Sequence, residues 1–219
     1  MGAQMPKQYL ALRGRTIIEH TIARFAEHPR ISGVMVALSH EDKYWGELGC
    51  ARLPKVHRTA GGVERCHSVL NALKALAWNS SYIDWVLVHD AARPCLRASD
   101  IDKMIDLVSE HPVGGILAVP VRDTMKRGGA GGEVTETVER KDLWHALTPQ
   151  MFRIGPLASA IEKAIDLGHL VTDEAQAMEL AGQAPLLVEG HVDNIKITQP
   201  EDLVLAELYL RHREETQCA

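Results

Sequence analysis

Trp85-Val86-Leu87-Val88-His89-Asp90-Ala91-Ala92-Arg93-Pro94-Cys95 is the stretch that decides how this chain is read. Its first four residues form a continuous apolar run without glycine or proline, the pattern of a strand buried on both faces of a parallel sheet. The character then changes abruptly to His89, Asp90, two alanines, Arg93 and Pro94. In open α/β sheets, ligands collect outside the carboxyl ends of the strands. A carboxylate there, followed by two side chains too small to obstruct, suits a metal or a ribose. The same residues equally suit a helix-entry aspartate before a turn proline, and residue types alone leave the two readings level.

Outward from this stretch the chain alternates strands and helices. Thr16 with Glu19 forms a capping box, and Ile17, Ile18, Ile22 and Phe25 recur at helical spacing. Ser32–Leu38 reads as a buried strand and Val56–Thr59 as another. Ala60-Gly61-Gly62 then opens a helix faced by Cys66, Val69, Leu70 and Leu73. Backbone amides at such a turn can meet an anion or a base edge. After Pro94, a helix begins at Ser99, with Ile101, Met104, Ile105 and Val108 on its inner face, followed by a buried strand over Gly114–Val121. Alternation of this kind predicts βα units around a mostly parallel sheet.

The rhythm breaks at Val121. Gly128-Gly129-Ala130-Gly131-Gly132 invites a phosphate-loop reading, but such loops require a helix after the glycines. Here Val134–Val138 is strand-like, so a hairpin with a glycine tip is expected. Both limbs are polar, which suits an arm over residues 121–145 projecting from the body. Leu143–Phe152 returns the chain to the body. Helices are expected over Ile154–Leu167 and after Thr172, strands at Leu186–Glu189 and Asn194–Ile197. A last helix follows, capped by Thr198 with Glu201 and ending in a charged tail from His212. One domain over residues 1–219, carrying an arm, is the economical description.

Composition narrows the class. The 219 residues are 46% hydrophobic and 24% charged with a net charge of −5, an ordinary globular balance that gives no support for general nucleic-acid binding. Four cysteines, Cys50, Cys66, Cys95 and Cys218, are widely spaced and read as free thiols in a reducing cytoplasm. No segment approaches the about 18 uninterrupted apolar residues of a membrane span. Met1–Lys7 reads as a loop already under way, with no strand before it.

Several segments together resemble the 2-C-methyl-D-erythritol 4-phosphate cytidylyltransferases of the non-mevalonate isoprenoid pathway. They are PKQYL (Pro6–Leu10), AGGVERCHSV (Ala60–Val69), VLVHDAARP (Val86–Pro94), RDTMKR (Arg122–Arg127), ER-x-x-LWHALTPQ-x-F (Glu139–Phe152), TDEA (Thr172–Ala175) and VEG-x-x-DNIKIT (Val188–Thr198). They follow the family's order across almost the whole chain. The resemblance implies a Rossmann-like, mostly parallel sheet of the nucleotidyltransferase (GT-A-like) type with a projecting β-hairpin dimerisation arm. It also implies a cytoplasmic, Mg²⁺-dependent homodimer that transfers a cytidylyl group from CTP to methylerythritol phosphate. The family opens with a strand and a glycine-rich loop, P-A-A-G-x-G-x-R-M, that wraps the triphosphate. This sequence starts at the methionine ending that motif, so the strand expected beside Val86–Val88 and its loop are not among its residues.

The chemistry so implied needs no base. A phosphate monoester, with a second pKa of about 6, is largely dianionic at neutral pH. Catalysis then rests on cations and positioning. By resemblance Lys7 and Lys196 stabilise charge on the triphosphate, and Arg140 and Thr124, both on the arm, bind methylerythritol phosphate in the partner's site. Gly62 and Ser68 read the cytosine. Asp90 and Ala91 meet the ribose, or Asp90 and Asp193 bind Mg²⁺. Thr172 is a further substrate contact, whereas His89 and His145 are read as structural. Two other functions remain open: a cytidylyltransferase for another polyol phosphate such as ribitol 5-phosphate, and an inactive binding or assembly subunit.

Overall fold

The computed structural model of the chain describes residues 5–78 and 80–217. The loop reading of Met1–Gln4 and the free thiol of Cys218 therefore lie outside the described residues.

Strands β1 (Ala11–Leu12) and β2 (Arg15–Thr16) form a small antiparallel turn that delivers Thr16 to the start of helix α1 (Ile17–Ala26). Both halves of the expected capping box are present: Thr16 Oγ1 accepts the Glu19 amide at 3.4 Å, and Glu19 Oε2 accepts the Thr16 amide at 2.9 Å. Strands β3 (Val34–Leu38) and β4 (Val56–Ala60) pair in parallel, and helix α2 (Arg65–Ala77) leads to β5 (Trp85–Val88). Helix α3 spans Ala98–Val108. Its N-cap is Arg97 rather than the expected Ser99, and Asp100 is buried on its inner face.

The main sheet is mixed. It runs β10 (Leu186–Glu189), β6 (Gly114–Pro120), β9 (Trp144–Arg153), β5. Strand β10 is parallel to β6, and β9 is antiparallel to both its neighbours, so β10, β6 and β5 run one way, as the mostly parallel expectation has it, and β9 alone is reversed. The sequence concealed β9 because its WHALTPQMF run carries Pro149, which cannot donate to a ladder. The register between β6 and β9 shifts between Ile116 and Ala118, so Pro149 sits in the irregular part, after a cis Thr148–Pro149 peptide.

Two helical layers cover this sheet. Val86, Val88, Ile116 and Phe152 pack with α2, α4 (Ile154–Asp166) and α5 (Glu174–Leu180). Trp85, Leu87, Leu117 and Met151 face the other way, towards Phe25 of α1 and the inner face of α3. Alternate residues of β5 thus pack towards opposite cores, each only partly buried rather than fully enclosed as expected.

Among the described residues β5 pairs only with β9, and β3 only with β4. With α1 and α2, β3 and β5 line a cleft of about 790 Å³.

The polar arm is a hairpin of β7 (Met125–Gly128) and β8 (Val134–Val138), exposed along almost its whole length and turning through Gly129–Gly132. The expected strand at Asn194–Ile197 is instead an irregular segment outside any ladder. The last helix, α6, spans Pro200–Gln217 and takes in residues 212–217 of the expected tail, the rest of which lies outside the described residues. Asp202, not Glu201, closes its start: Oδ2 accepts the amides of Thr198 and Gln199, each at 2.8 Å.

Candidate active site

Strand β5 ends by presenting Asp90 to cations from three other parts of the chain. Asp90 Oδ1 accepts from Arg65 Nε at 3.2 Å, and Oδ2 from Arg93 Nε at 3.3 Å and Lys196 Nζ at 3.0 Å. Burial raises the pKa of this carboxyl, but Arg65, Lys196 and Arg93 outweigh burial and hold it at about 2. Asp90 is therefore ionised throughout the neutral range. Lys7, in the short 3₁₀ turn Lys7–Tyr9, is near enough to sense both Lys196 and Asp90; burial and Lys196 lower its pKa.

The turn after β5 is locked by His89. Its Nε2 lies 3.1 Å from Arg93 O, and its Nδ1 lies 2.9 Å from Thr148 Oγ1. A carbonyl only accepts, so Nε2 carries the proton and Nδ1 accepts from the threonine hydroxyl. Thr148 Oγ1 in turn accepts the Asp90 amide at 3.2 Å. Burial lowers the His89 pKa from 6.5 to about 4, so the ring is neutral. The folded-state value lies below the unfolded one, so the stability His89 contributes is complete above pH 6.5 and fades as pH falls towards 4. That difference corresponds to about 3 kcal/mol. Urea titrations between pH 7 and 4 are expected to show this loss, and a His89→Gln chain a visibly flatter profile; equal slopes would assign the acid lability elsewhere.

Gly62 and Ser68 sit together beyond β4. The Gly62 amide donates to Ser68 Oγ at 2.9 Å, and that hydroxyl donates to Glu64 O at 3.2 Å. A side chain at Gly62 would bring a Cβ within 2.3 Å of His67 Cβ, so the loop hugs α2 too closely for any other residue. Arg65, Ser68, Asp90 and Ala91 all line the cleft between β3 and β5.

Other expected site residues lie elsewhere. Thr124 and Arg140 flank the base of the arm, both exposed, and Arg140 donates to Arg122 O. Among the described residues neither bonds to the Asp90 cluster. Thr172 is exposed just before α5, its amide on Gln176 Oε1 at 2.7 Å. Asp193 is buried, and its Oδ2 accepts from Arg97 Nη2 at 2.6 Å and Arg213 Nη2 at 2.8 Å. Burial raises its pKa, but the two guanidiniums bring it below the usual range. Two guanidiniums anchor one oxygen of Asp193, while the other, Oδ1, is buried and has no hydrogen-bond partner among the described residues. Among the described residues no three His, Cys, Asp or Glu side chains converge as a metal cage. Mg²⁺ needs no such cage, since it commonly takes one or two carboxylates together with substrate phosphates and water. Asp90 fits that donor set.

Sequence reasoning missed Arg65, Arg93 and Thr148 as site residues. All three lie inside the motifs quoted above, but only the fold shows that their side chains meet at Asp90.

An α/β sandwich that gathers Arg65, Arg93 and Lys196 about one carboxylate at a strand end, with Lys7 within electrostatic reach, is built to receive polyanions, and its structural neighbours make the class a nucleotidyltransferase. One solved structure, titled 4-diphosphocytidyl-2C-methyl-D-erythritol synthase, matches with a TM-score of 0.86 and 38% identity over 94% of this chain and 95% of that one. The 2-C-methyl-D-erythritol 4-phosphate cytidylyltransferase of Francisella tularensis matches with a TM-score of 0.82 and 36% identity over 94% and 93%. A relative from Vibrio atlanticus bearing the same enzyme name is 56% identical over 98% of this chain and 91% of its own. One from Pseudomonas aeruginosa, strain PAO1, is 54% identical over 93% and 88%. The family model described as 2-C-methyl-D-erythritol 4-phosphate cytidylyltransferase matches residues 1–212, and the chain belongs to that family. No helix among the described residues is long and apolar enough to cross a membrane.

Proposed function

We propose that the Asp90 cluster is where this cytidylyltransferase works. The reaction is transfer of the cytidylyl group of CTP to 2-C-methyl-D-erythritol 4-phosphate. A phosphate oxygen of the polyol phosphate forms a bond to the α-phosphorus, the bond from that phosphorus to the bridging oxygen breaks, and pyrophosphate leaves. The observation that carries this assignment is the meeting of Lys196, Arg65 and Arg93 on Asp90, with Lys7 within electrostatic reach of it.

The attacking phosphate is already deprotonated, so the residues must bring two anions together and hold them in line. Lys7 and Lys196 take up charge on the triphosphate as the pyrophosphate departs. Gly62 and Ser68 read the cytosine edge, and Asp90 with Ala91 takes the ribose side. As an alternative to the ribose, Asp90 with Asp193 would hold Mg²⁺ together with nucleotide phosphates, and the ion would supply further neutralisation of that charge. Thr172, Thr124 and Arg140 bind methylerythritol phosphate. The last two stand on an exposed arm, which supports their reaching a second subunit's site in a homodimer.

Pyrophosphate release from CTP, measured with methylerythritol phosphate and separately with ribitol 5-phosphate, tests the reading. Faster release with ribitol phosphate would reject the substrate, and no release with either would favour an inactive subunit. In the same assay, an equimolar mixture of Arg140→Ala and Lys7→Ala chains is expected to regain about a quarter of native activity. Half the randomly assorted dimers then hold one intact site of two. No recovery despite confirmed subunit exchange would place Arg140 in its own subunit's site.

A further inference from the structure

Glu174 is a buried carboxylate to which the transfer reaction assigns no task. It opens α5, is 1% exposed, and gives both oxygens to Arg65: Nη1 donates to Oε1 at 2.6 Å and Nη2 to Oε2 at 3.1 Å. The remaining nitrogen of that guanidinium, Nε, donates to Asp90 Oδ1 at 3.2 Å, and Nη1 also reaches Thr172 O at 3.5 Å. One planar group therefore touches both the carboxylate on the nucleotide side and the backbone beside a substrate residue.

The pair is rigid at both ends. A guanidinium presents its donors in a fixed fork, so seating two terminal nitrogens sets the direction of the third. Glu174 has little freedom to drift, because the chain around it is pinned to β9. Gln150 Nε2 donates to Asp173 Oδ2 at 3.0 Å, and Gln150 Oε1 accepts the Ala175 amide at 2.9 Å. Asp173 Oδ1 accepts the Gln176 amide at 2.9 Å, closing the first turn. Burial raises the Glu174 pKa against the pull of Arg65, while Arg65, beside two carboxylates, is held more firmly charged. A carboxylate so expensive to bury is retained here at the one place where it fixes a site cation.

We infer that Glu174 is a positioning residue for cytidylyl transfer: by clamping Arg65 it holds Asp90 and the Thr172 backbone in one relation, keeping nucleotide and acceptor phosphate in register. This rests on the assignment of Asp90 and Thr172 to the transfer site.

The test uses Glu174→Gln, Arg65→Lys and the double variant in the full chain, with kcat and both KM values measured alongside urea stability. Glu174→Gln is expected to lower kcat about tenfold and to raise the KM for methylerythritol phosphate several-fold. The double variant should be no slower than Arg65→Lys alone, because Glu174 acts through Arg65. Glu174→Asp, which keeps the charge, should recover part of the loss, and it replaces the Gln variant should that one fail to fold. A loss of folded fraction alone would lower apparent kcat and leave KM unmoved. Folded Glu174→Gln protein with kcat within twofold of native, an unmoved KM, or losses that multiply in the double variant would each overturn the inference. Asp90→Asn separates the two levels: full activity in that variant would sink the site assignment itself, whereas a loss there beside an unaffected Glu174→Gln sinks the positioning role only.

Discussion

Lys196→Met is expected to lower kcat for pyrophosphate release by about 10²–10³, the cost of removing one preorganised group that meets developing charge. The ammonium is aimed by its backbone. Arg93 Nη1 donates to Asn194 O at 2.8 Å, Asn194 Nδ2 donates to Thr148 O at 2.8 Å, and the Ile197 amide donates to Ala92 O at 2.8 Å. With Ile197 wholly buried, the chain leaves Lys196 directed at the Asp90 cluster, its Nζ 3.0 Å from Asp90. Methionine keeps the unbranched stem and loses only the charge. The Lys196 side chain is 39% exposed, so its pairing with Asp90 is screened, and stability should change by less than about 1 kcal/mol. Initial rates at saturating CTP and methylerythritol phosphate, with a urea curve for each protein, check both parts. A rate loss below tenfold would remove Lys196 from the charge-stabilising set.

Asp193→Ala is expected to destabilise the fold by about 3–5 kcal/mol, the cost of breaking a buried ion pair from one side. Its side chain is 8% exposed and holds Arg97, at the start of α3, together with Arg213 of α6, whose own side chain is 16% exposed. Arg213 also donates to the carbonyl oxygens of Cys95 and Leu96, so the aspartate ties the last helix to the turn after β5. The decisive condition is the absence of both nucleotide and Mg²⁺. An anchor is lost there as fully as anywhere, whereas a metal ligand would leave the unfolding curve of the metal-free protein nearly unchanged. A shift below about 1 kcal/mol in metal-free buffer would restore the metal-ligand reading of Asp193.

Periodicity was informative where a local pattern and its tertiary setting agreed. The Thr16–Glu19 box formed as read because its partners lie within one turn. The glycine-tipped hairpin was legible for a similar reason, since a strand-like limb after the glycines leaves no helix to cradle phosphate. Strand β9 was hidden because Pro149 argues against a central strand unless a register shift absorbs the missing donor, and register depends on the partner strand. Asn194–Ile197 looked like a strand by composition, yet it is held by side chains of Arg93 and Asn194 instead of a ladder. Thr198 was correctly placed at a helix start, with the wrong carboxylate, because Glu201 and Asp202 offer similar groups one residue apart.

The sequence by itself determined the family, the α/β class and the residues that carry charge in its motifs, since motif order and apolar periodicity are properties of the chain. It placed Asp90 at a strand end and left open what that carboxylate meets. Only the tertiary structure decided that Arg65, Arg93 and Lys196 converge on Asp90, that Glu174 aims Arg65, and that Asp193 is buried between two guanidiniums. The reason is distance along the chain: Arg65 and Glu174 are 109 residues apart and Arg97 and Asp193 96 apart. Whether a charge ends in water or against its opposite depends on how the layers close, because burial and pairing are set by neighbours that no local pattern names.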